Sequence, residues 1–204
     1  MNAYLYLEGG AQGQHSKSLN MRCQQAFHML LSRMGFAGRM PRIVACGSRN
    51  DAYERFTREH SGNRTGYVAM LIDSEEPMTD VDKPWDHFAR VTTVGKWTRP
   101  NSATDEQVLT MTTCMETWIV ADQAALVKHY GKRLAASALP SASNLESQTR
   151  LDIQKDLERA TSNCSNAYQK GARSFLVLSV LDPATLEKLL PSFARLHRIL
   201  NSKL

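Results

Sequence analysis

A chain of 204 residues with 42% hydrophobic and 22% charged side chains is long enough to bury a core, and its balance excludes a disordered, collagen-like or coiled-coil protein. No stretch approaches the ~20 apolar residues of a membrane span, and the first residues reach Glu8 before an apolar signal core has formed, so a cytoplasmic protein is expected. The net charge of +5 is unevenly spread: residues 1–72 carry nine Lys and Arg against four Asp and Glu, residues 73–122 four against ten, and residues 123–204 twelve against six. An acidic centre between two basic arms suits a carboxylate cluster for a divalent cation beside a surface for a polyanion; a mixed-charge solvated surface fits the same numbers.

Tyr4–Leu7 is a short apolar run closed by Glu8-Gly9-Gly10, which predicts a strand and a turn. Leu19, Cys23, Ala26, Phe27, Leu30, Leu31 and Met34 recur at helical spacing, and Gly35 stands where that helix would stop. A second strand is expected over Arg42–Cys46 and a second helix over Asp51–His60, burying Tyr53 and Phe56 and followed by the loop Ser61-Gly62-Asn63. The third strand, Tyr67–Ile72, runs straight into Asp73-Ser74-Glu75-Glu76-Pro77. This β-α-β-α-β order predicts an α/β fold with a parallel sheet, in which functional groups gather beyond the carboxyl ends of the strands. Glu8 and Asp73 both fall there.

Met78–Asn101 reads as loops around a short helix at Trp85–Ala89. Val108, Met111, Met115, Trp118 and Ile119 form a helical stripe, Asp122 an N-cap for a helix to Gly131, and Leu139-Pro140 the end of that unit. Ser143-Asn144-Leu145-Glu146 has the capping-box pattern and predicts a helix to about Ala160; Asp182-Pro183 opens a last helix with Leu186, Leu189, Leu190, Phe193, Leu196 and Leu200 on one face. The expectation is one domain over residues 1–204, with a core in about 1–130 and a helical part in about 140–204. The last apolar face would pack on that core or on a second copy, as in a homo-oligomer. Cys23, Cys46, Cys114 and Cys164 have no paired spacing and read as buried reduced thiols.

Absences narrow the chemistry. The turn Gly9-Gly10-Ala11-Gln12-Gly13 lacks the Lys-Ser/Thr ending of a P-loop and does not match the dinucleotide fingerprint; there is no Gly-x-Ser-x-Gly elbow and no His-x-x-x-His pair. What remains is carboxylates. Asp73 and Glu75, one residue apart past an apolar strand, converge if strand geometry persists through them, and magnesium takes oxygen ligands of this kind; a solvated acidic turn is the alternative. Glu8 would add a third acid from the neighbouring strand end. Ser16 and Lys17 at a helix start suit a phosphate, and Arg49 after the second strand suits a bidentate clamp, while each of these, like Arg22, also reads as plain surface. Glu116 stands off the centre of the apolar stripe of its helix, a place that a merely solvated residue would also take, and Asp122 reads as a cap rather than a ligand.

Leu7-Glu8-Gly9-Gly10, Ser16-Lys17, Cys46-Gly47-Ser48-Arg49, Leu71-Ile72-Asp73-Ser74-Glu75, Cys114-Met115-Glu116-Thr117-Trp118 with Ala121-Asp122, Lys170-Gly171 and Leu181-Asp182-Pro183 together resemble, nearly end to end, the bacterial family catalogued as unknown-function domain 4276. That family is regarded as similar to Toprim domains, the catalytic modules of topoisomerases, primases and overcoming-lysogenisation-defect type nucleases. The resemblance implies a Toprim-like sheet with a helical C-terminal extension and a site for Mg2+ or Mn2+. Glu8 would be the first-strand acid, a metal ligand and general acid or base; Asp73 and Glu75 would occupy the Asp-x-Asp places, with glutamate replacing the second aspartate. By the same resemblance Glu116 would complete a two-metal site and Lys170 would stabilise charge on a phosphate, with Lys17 and Arg49 as phosphate contacts. The implied activity is phosphodiester hydrolysis of DNA or RNA as an antiphage effector. A separate ATPase would gate it, since this chain has no P-loop. The alternative is a catalytically inactive nucleic-acid-binding or regulatory subunit of such a complex. Nucleotidyl-transfer or topoisomerase-like activity fits less well, because the latter needs a tyrosine from another domain.

Overall fold

Four short strands, β1 (Ala3–Leu7), β2 (Arg42–Ala45), β3 (Tyr67–Asp73) and β4 (Val108–Met111), make an all-parallel sheet in the order β2-β1-β3-β4. The computed structural model describes residues 2–13, 16–62, 66–91 and 97–204; parts of the stretches expected at Ser61-Gly62-Asn63 and Met78–Asn101 lie outside these. Alternation along the strands gives each face its own core. Leu5, Leu7, Ala69, Leu71, Leu109 and Met111 point to one side, and Tyr6, Val68, Met70, Ile72 and Val108 to the other. The first face is covered by α1 (Ser16–Leu31), α4 (Met115–Ala121) and the helices that follow; the second by α2 (Arg49–Ser61) and α3 (Pro84–Arg90). The fold is therefore α/β, as expected. Among the described residues no helix is long and apolar enough to cross a membrane.

Local chemistry sets several boundaries. Gly35 (φ 92°) breaks the turn Ser32–Phe36 that extends α1, in the left-handed region that favours glycine. Ser48 and Asp51 form a reciprocal capping box that starts α2 two residues before the predicted helix. Asp122 Oδ1 accepts the Ala125 N–H and caps α5 (Gln123–Tyr130), as the sequence predicts. All four cysteines are buried and free.

Three predicted elements are corrected. Val108–Met111 is not the first turn of a helix but strand β4, paired with β3 in the register Met70↔Val108 to Asp73↔Met111. Both faces of β4 are buried, and a strand buried on both sides loses the alternation that would betray it. The Ser143–Glu146 pattern does not open a helix: Leu145–Ser147 is a single 3-10 turn, and α6 (Arg150–Thr161) starts at a Thr149 cap. Glu146 instead accepts from the Ser192 N–H and hydroxyl, capping the remote helix α9 (Pro191–Lys203). The single last helix divides into α8 (Pro183–Leu189) and α9, because Pro191 has no N–H to continue the ladder and serves as the first residue of a new helix. Helix α7 (Ala172–Leu178), preceded by Gly171 (φ 103°), was not anticipated. The C-terminal helices share the core of the first sheet face: Phe193 of α9 packs edge-on to Trp118 of α4 with ring centroids 4.9 Å apart.

Candidate metal centre

The sheet register brings the acids together. Leu7 stands opposite Leu71, so Glu8 leaves β1 beside the end of β3; its N–H donates to the Leu71 carbonyl at 2.9 Å. Asp73 in turn donates its N–H to Glu8 Oε2 at 2.9 Å. Strand geometry, the condition set for Asp73 and Glu75 to converge, does not persist through Glu75. The chain turns after Ser74, and Glu75 takes φ 66°, a left-handed conformation that is costly for a residue with a Cβ. The Glu75 N–H donates to the Thr113 carbonyl at 2.9 Å, and buried His87 holds the Ser74 carbonyl through Nε2 at 3.0 Å. The turn carries Glu75 back to its neighbours. One oxygen each from Glu8, Asp73 and Glu75 lies within 4.8 Å of the others.

Helix α4 completes the floor. Asp73 Oδ1 accepts the Met115 N–H at 2.9 Å, so a side chain from β3 satisfies one of the free donors at the helix start. Glu116 is not solvated, as its place off the stripe allowed, but 1% exposed. All seven residues of α4 are buried, because the helix is enclosed by the sheet and by α6, α7 and α8. The Glu116 carboxylate accepts from the Tyr168 hydroxyl at Oε1 and from Gln154 Nε2 at Oε2, the latter at 3.4 Å. Exposed Lys170 stands at the rim of a cleft of about 130 Å³ lined by Glu8, Gly9, Asp73, Met115, Glu116 and Ser174 among others. Gly10 (φ 88°) beside it has no room for a Cβ against Asn20, whose Oδ1 accepts the Ala11 N–H.

Electrostatics divides the acids. Burial pushes the Asp73 carboxyl well above the usual range, and the charges of Glu8 and Glu116 push it further. Burial also raises Glu8, against the Asp73 N–H and the charge of Arg49. Burial opposes ionisation of Glu116 as well, but the Tyr168 hydroxyl and Lys170 together hold it below its ordinary value. Glu75 stands between two counter-charges: Oε2 pairs with Arg150 and Oε1 lies 3.5 Å from Arg49 Nη1.

Of the residues singled out in the sequence, Glu8, Asp73 and Glu75 meet directly, Glu116 and Lys170 line the same cleft, and Arg49 reaches it through Glu75. Lys17 is not brought in: it is exposed on the first turn of α1 and does not line the cleft. Ser16 lines a separate polar groove with Asn20, Asp51 and Arg55, and Arg22 an apolar one with Met29 and Leu176. Asp122 is a cap and also accepts the Asp182 N–H at 2.7 Å. Sequence reasoning missed Arg150, Tyr168 and His87, which have no local pattern and reach the site only through packing.

The donor set fits a hard divalent cation, which takes carboxylate oxygens and keeps waters or phosphate oxygens as its other ligands. Asp73 Oδ2 and Glu8 Oε1 make no hydrogen bond among the described residues, so each acid has an oxygen to offer.

Residues 11–201 match the family described as Domain of unknown function (DUF4276), and the chain belongs to that family. Asp73, Glu75, Glu116 and Lys170 fall within the matched stretch, and Glu8 precedes it. No curated protein and no solved structure matches the chain.

Proposed function

We propose that the protein is a Toprim-like, Mg2+- or Mn2+-dependent nuclease of the cytoplasm that hydrolyses phosphodiester bonds in DNA or RNA. The observation that carries this reading is the convergence of Glu8, Asp73 and Glu75 at the carboxyl ends of adjacent parallel strands, beside a cleft with a lysine on its rim. Glu8, Asp73 and Glu75 would hold a cation, with Glu116 available to a second. Such a cation orients water and neutralises charge developing on the scissile phosphate. Lys170, exposed and beside the carboxylates, meets the same charge from the solvent side. Where Asp73 and Glu75 hold the cation without it, Glu8 would instead serve as acid or base through Oε1, the oxygen not held by Asp73. The basic arms on either side of the acidic centre bind the polyanion backbone with the salt dependence of counterion release. The role as antiphage effector, with a separate ATPase as gate, rests only on the resemblance of Glu8 and of Asp73-Ser74-Glu75 to the acids of Toprim-type nucleases.

The test is cleavage of plasmid, linear duplex, single-stranded DNA and RNA with Mn2+ or Mg2+, alone and after Asp73→Asn. Cleavage that needs the cation and is lost in the variant supports the reading; cleavage unchanged in the variant refutes it. Salt-sensitive nucleic-acid binding with no cleavage under any of these conditions would assign the chain instead to a non-catalytic subunit.

A further inference from the structure

Glu75 differs from its two neighbours in one respect: both of its oxygens are already engaged. Arg150, the first residue of α6, pairs with Oε2, and Arg49, the first residue of α2, stands at Oε1. The two arginines stand about a hundred residues apart in the sequence and meet on one carboxylate that sits in an unfavourable backbone conformation. The Arg49 side chain is only 12% exposed, and among the described residues its Nε and Nη1 make no hydrogen bond, the Nη1 contact to Glu75 being a long ion pair. A guanidinium so placed holds donors in reserve for an acceptor that is not a protein group.

On the nuclease reading above, we propose that Arg49 and Arg150 form a counter-ion latch on Glu75, which a divalent cation and a phosphate open together. The cation takes the Glu75 carboxylate, and the two guanidiniums take the phosphate oxygens. Either ligand alone meets resistance. A cation that draws Glu75 away leaves two partly buried arginines without a counter-charge, and a phosphate that engages the arginines leaves three carboxylates facing one another within 4.8 Å. Each ligand therefore strengthens the other, and the coupling is reciprocal. The planar fork of arginine suits this exchange, because a carboxylate and a phosphate present it with the same pair of oxygens. Arg150 thus becomes a positioning residue for phosphate that also sets the affinity for metal.

The experiment is calorimetric titration of Mn2+ into the full chain, with and without dilute inorganic phosphate, for wild type, Arg150→Gln and Arg150→Lys. In wild type, phosphate should tighten Mn2+ binding by about fivefold or more. Arg150→Gln should bind Mn2+ alone about fivefold more tightly than wild type, because the competing ion pair is gone, and should lose most of the phosphate effect. Arg150→Lys, which keeps the charge without the fork and guards against a misfolded Gln variant, should bind Mn2+ alone like wild type and show a reduced phosphate effect. Mn2+ binding that is unchanged or weaker in folded Arg150→Gln, or a phosphate effect that survives in both variants, would overturn the latch while leaving the metal centre intact. If neither wild type nor Arg150→Gln takes up Mn2+ with or without phosphate, the nuclease reading fails and the latch with it.

Discussion

Replacing Asp73 by Asn and, separately, by Ala distinguishes its charge from its hydrogen bond. Asp73 is 5% exposed, and its Oδ1 takes the Met115 N–H at 2.9 Å. Asn keeps an oxygen for that donor and discards the charge. Ala leaves a buried N–H unsatisfied at the start of α4, which costs about 1–3 kcal/mol. At about 2–4 °C per kcal/mol for a chain of this size, Asp73→Ala should melt from about 2 to about 12 °C below Asp73→Asn. The pH dependence has a defined sign. Burial raises the folded-state pKa of Asp73 and Glu8 above their ordinary values of 3.8 and 4.5, so the folded protein holds these protons more tightly than the unfolded chain. That contribution is fully present below the ordinary values and is lost as the pH rises through the folded ones, at about 1.4 kcal/mol for each pH unit between them. In EDTA, wild type should therefore lose stability relative to Asp73→Asn between pH 5 and pH 8. With Mn2+ at a hundredfold excess over its Kd, wild type should gain about 2.7 kcal/mol and neither variant should gain anything. Urea denaturation at the two pH values, with EDTA and with Mn2+, measures all three quantities. Equal stability of the two variants would refute the capping role of Asp73, and a wild-type-to-Asn difference that does not change with pH would refute the account of its buried charge.

Three further predictions concern the surroundings of the site. Tyr168→Phe removes the hydroxyl from a buried carboxylate and should cost about 1–3 kcal/mol. Because Glu116 is held below its ordinary value of 4.5, this stability is present above that value and lost as the pH falls through the folded pKa, so urea melts should show a larger gap at pH 7 than at pH 3.5. His87→Leu removes the donor to the Ser74 carbonyl; it should cost about 1 kcal/mol and weaken Mn2+ binding severalfold, and unchanged binding would mean that the turn carrying Glu75 is held by other contacts. Burial pushes the Cys23 thiol up to about 12 and Cys46 up to about 11, so an aromatic disulfide reagent at pH 8 should find the folded protein nearly inert and titrate four thiols per chain after denaturation.

The first three strands were legible because each is a short apolar run next to a glycine or a charged turn, and their parallel order follows from the helical patterns between them. Glu8 and Asp73 were legible as site residues for the same reason: they stand immediately after such runs. β4 was not, since a strand buried on both faces shares its composition with the buried helix that follows it. The capping patterns were legible as chemistry but not as addresses. Asp122 caps the next helix, whereas Glu146 caps one that begins more than forty residues further along the chain.

By itself the sequence determined what local covalent order controls: an α/β chain, acids at two strand exits, basic arms around an acidic centre, and cysteines without partners. Only the tertiary structure decided that Glu116 is buried rather than solvated, that Glu75 returns to the other acids through a left-handed turn, that Lys17 stays outside the cleft, and that Arg150 and Tyr168 enter the site. These depend on strand register and on helices brought from the far end of the chain. A carboxylate's charge, partner and accessibility are set by whatever packs within a few ångströms of it, and no spacing along the chain encodes that neighbourhood.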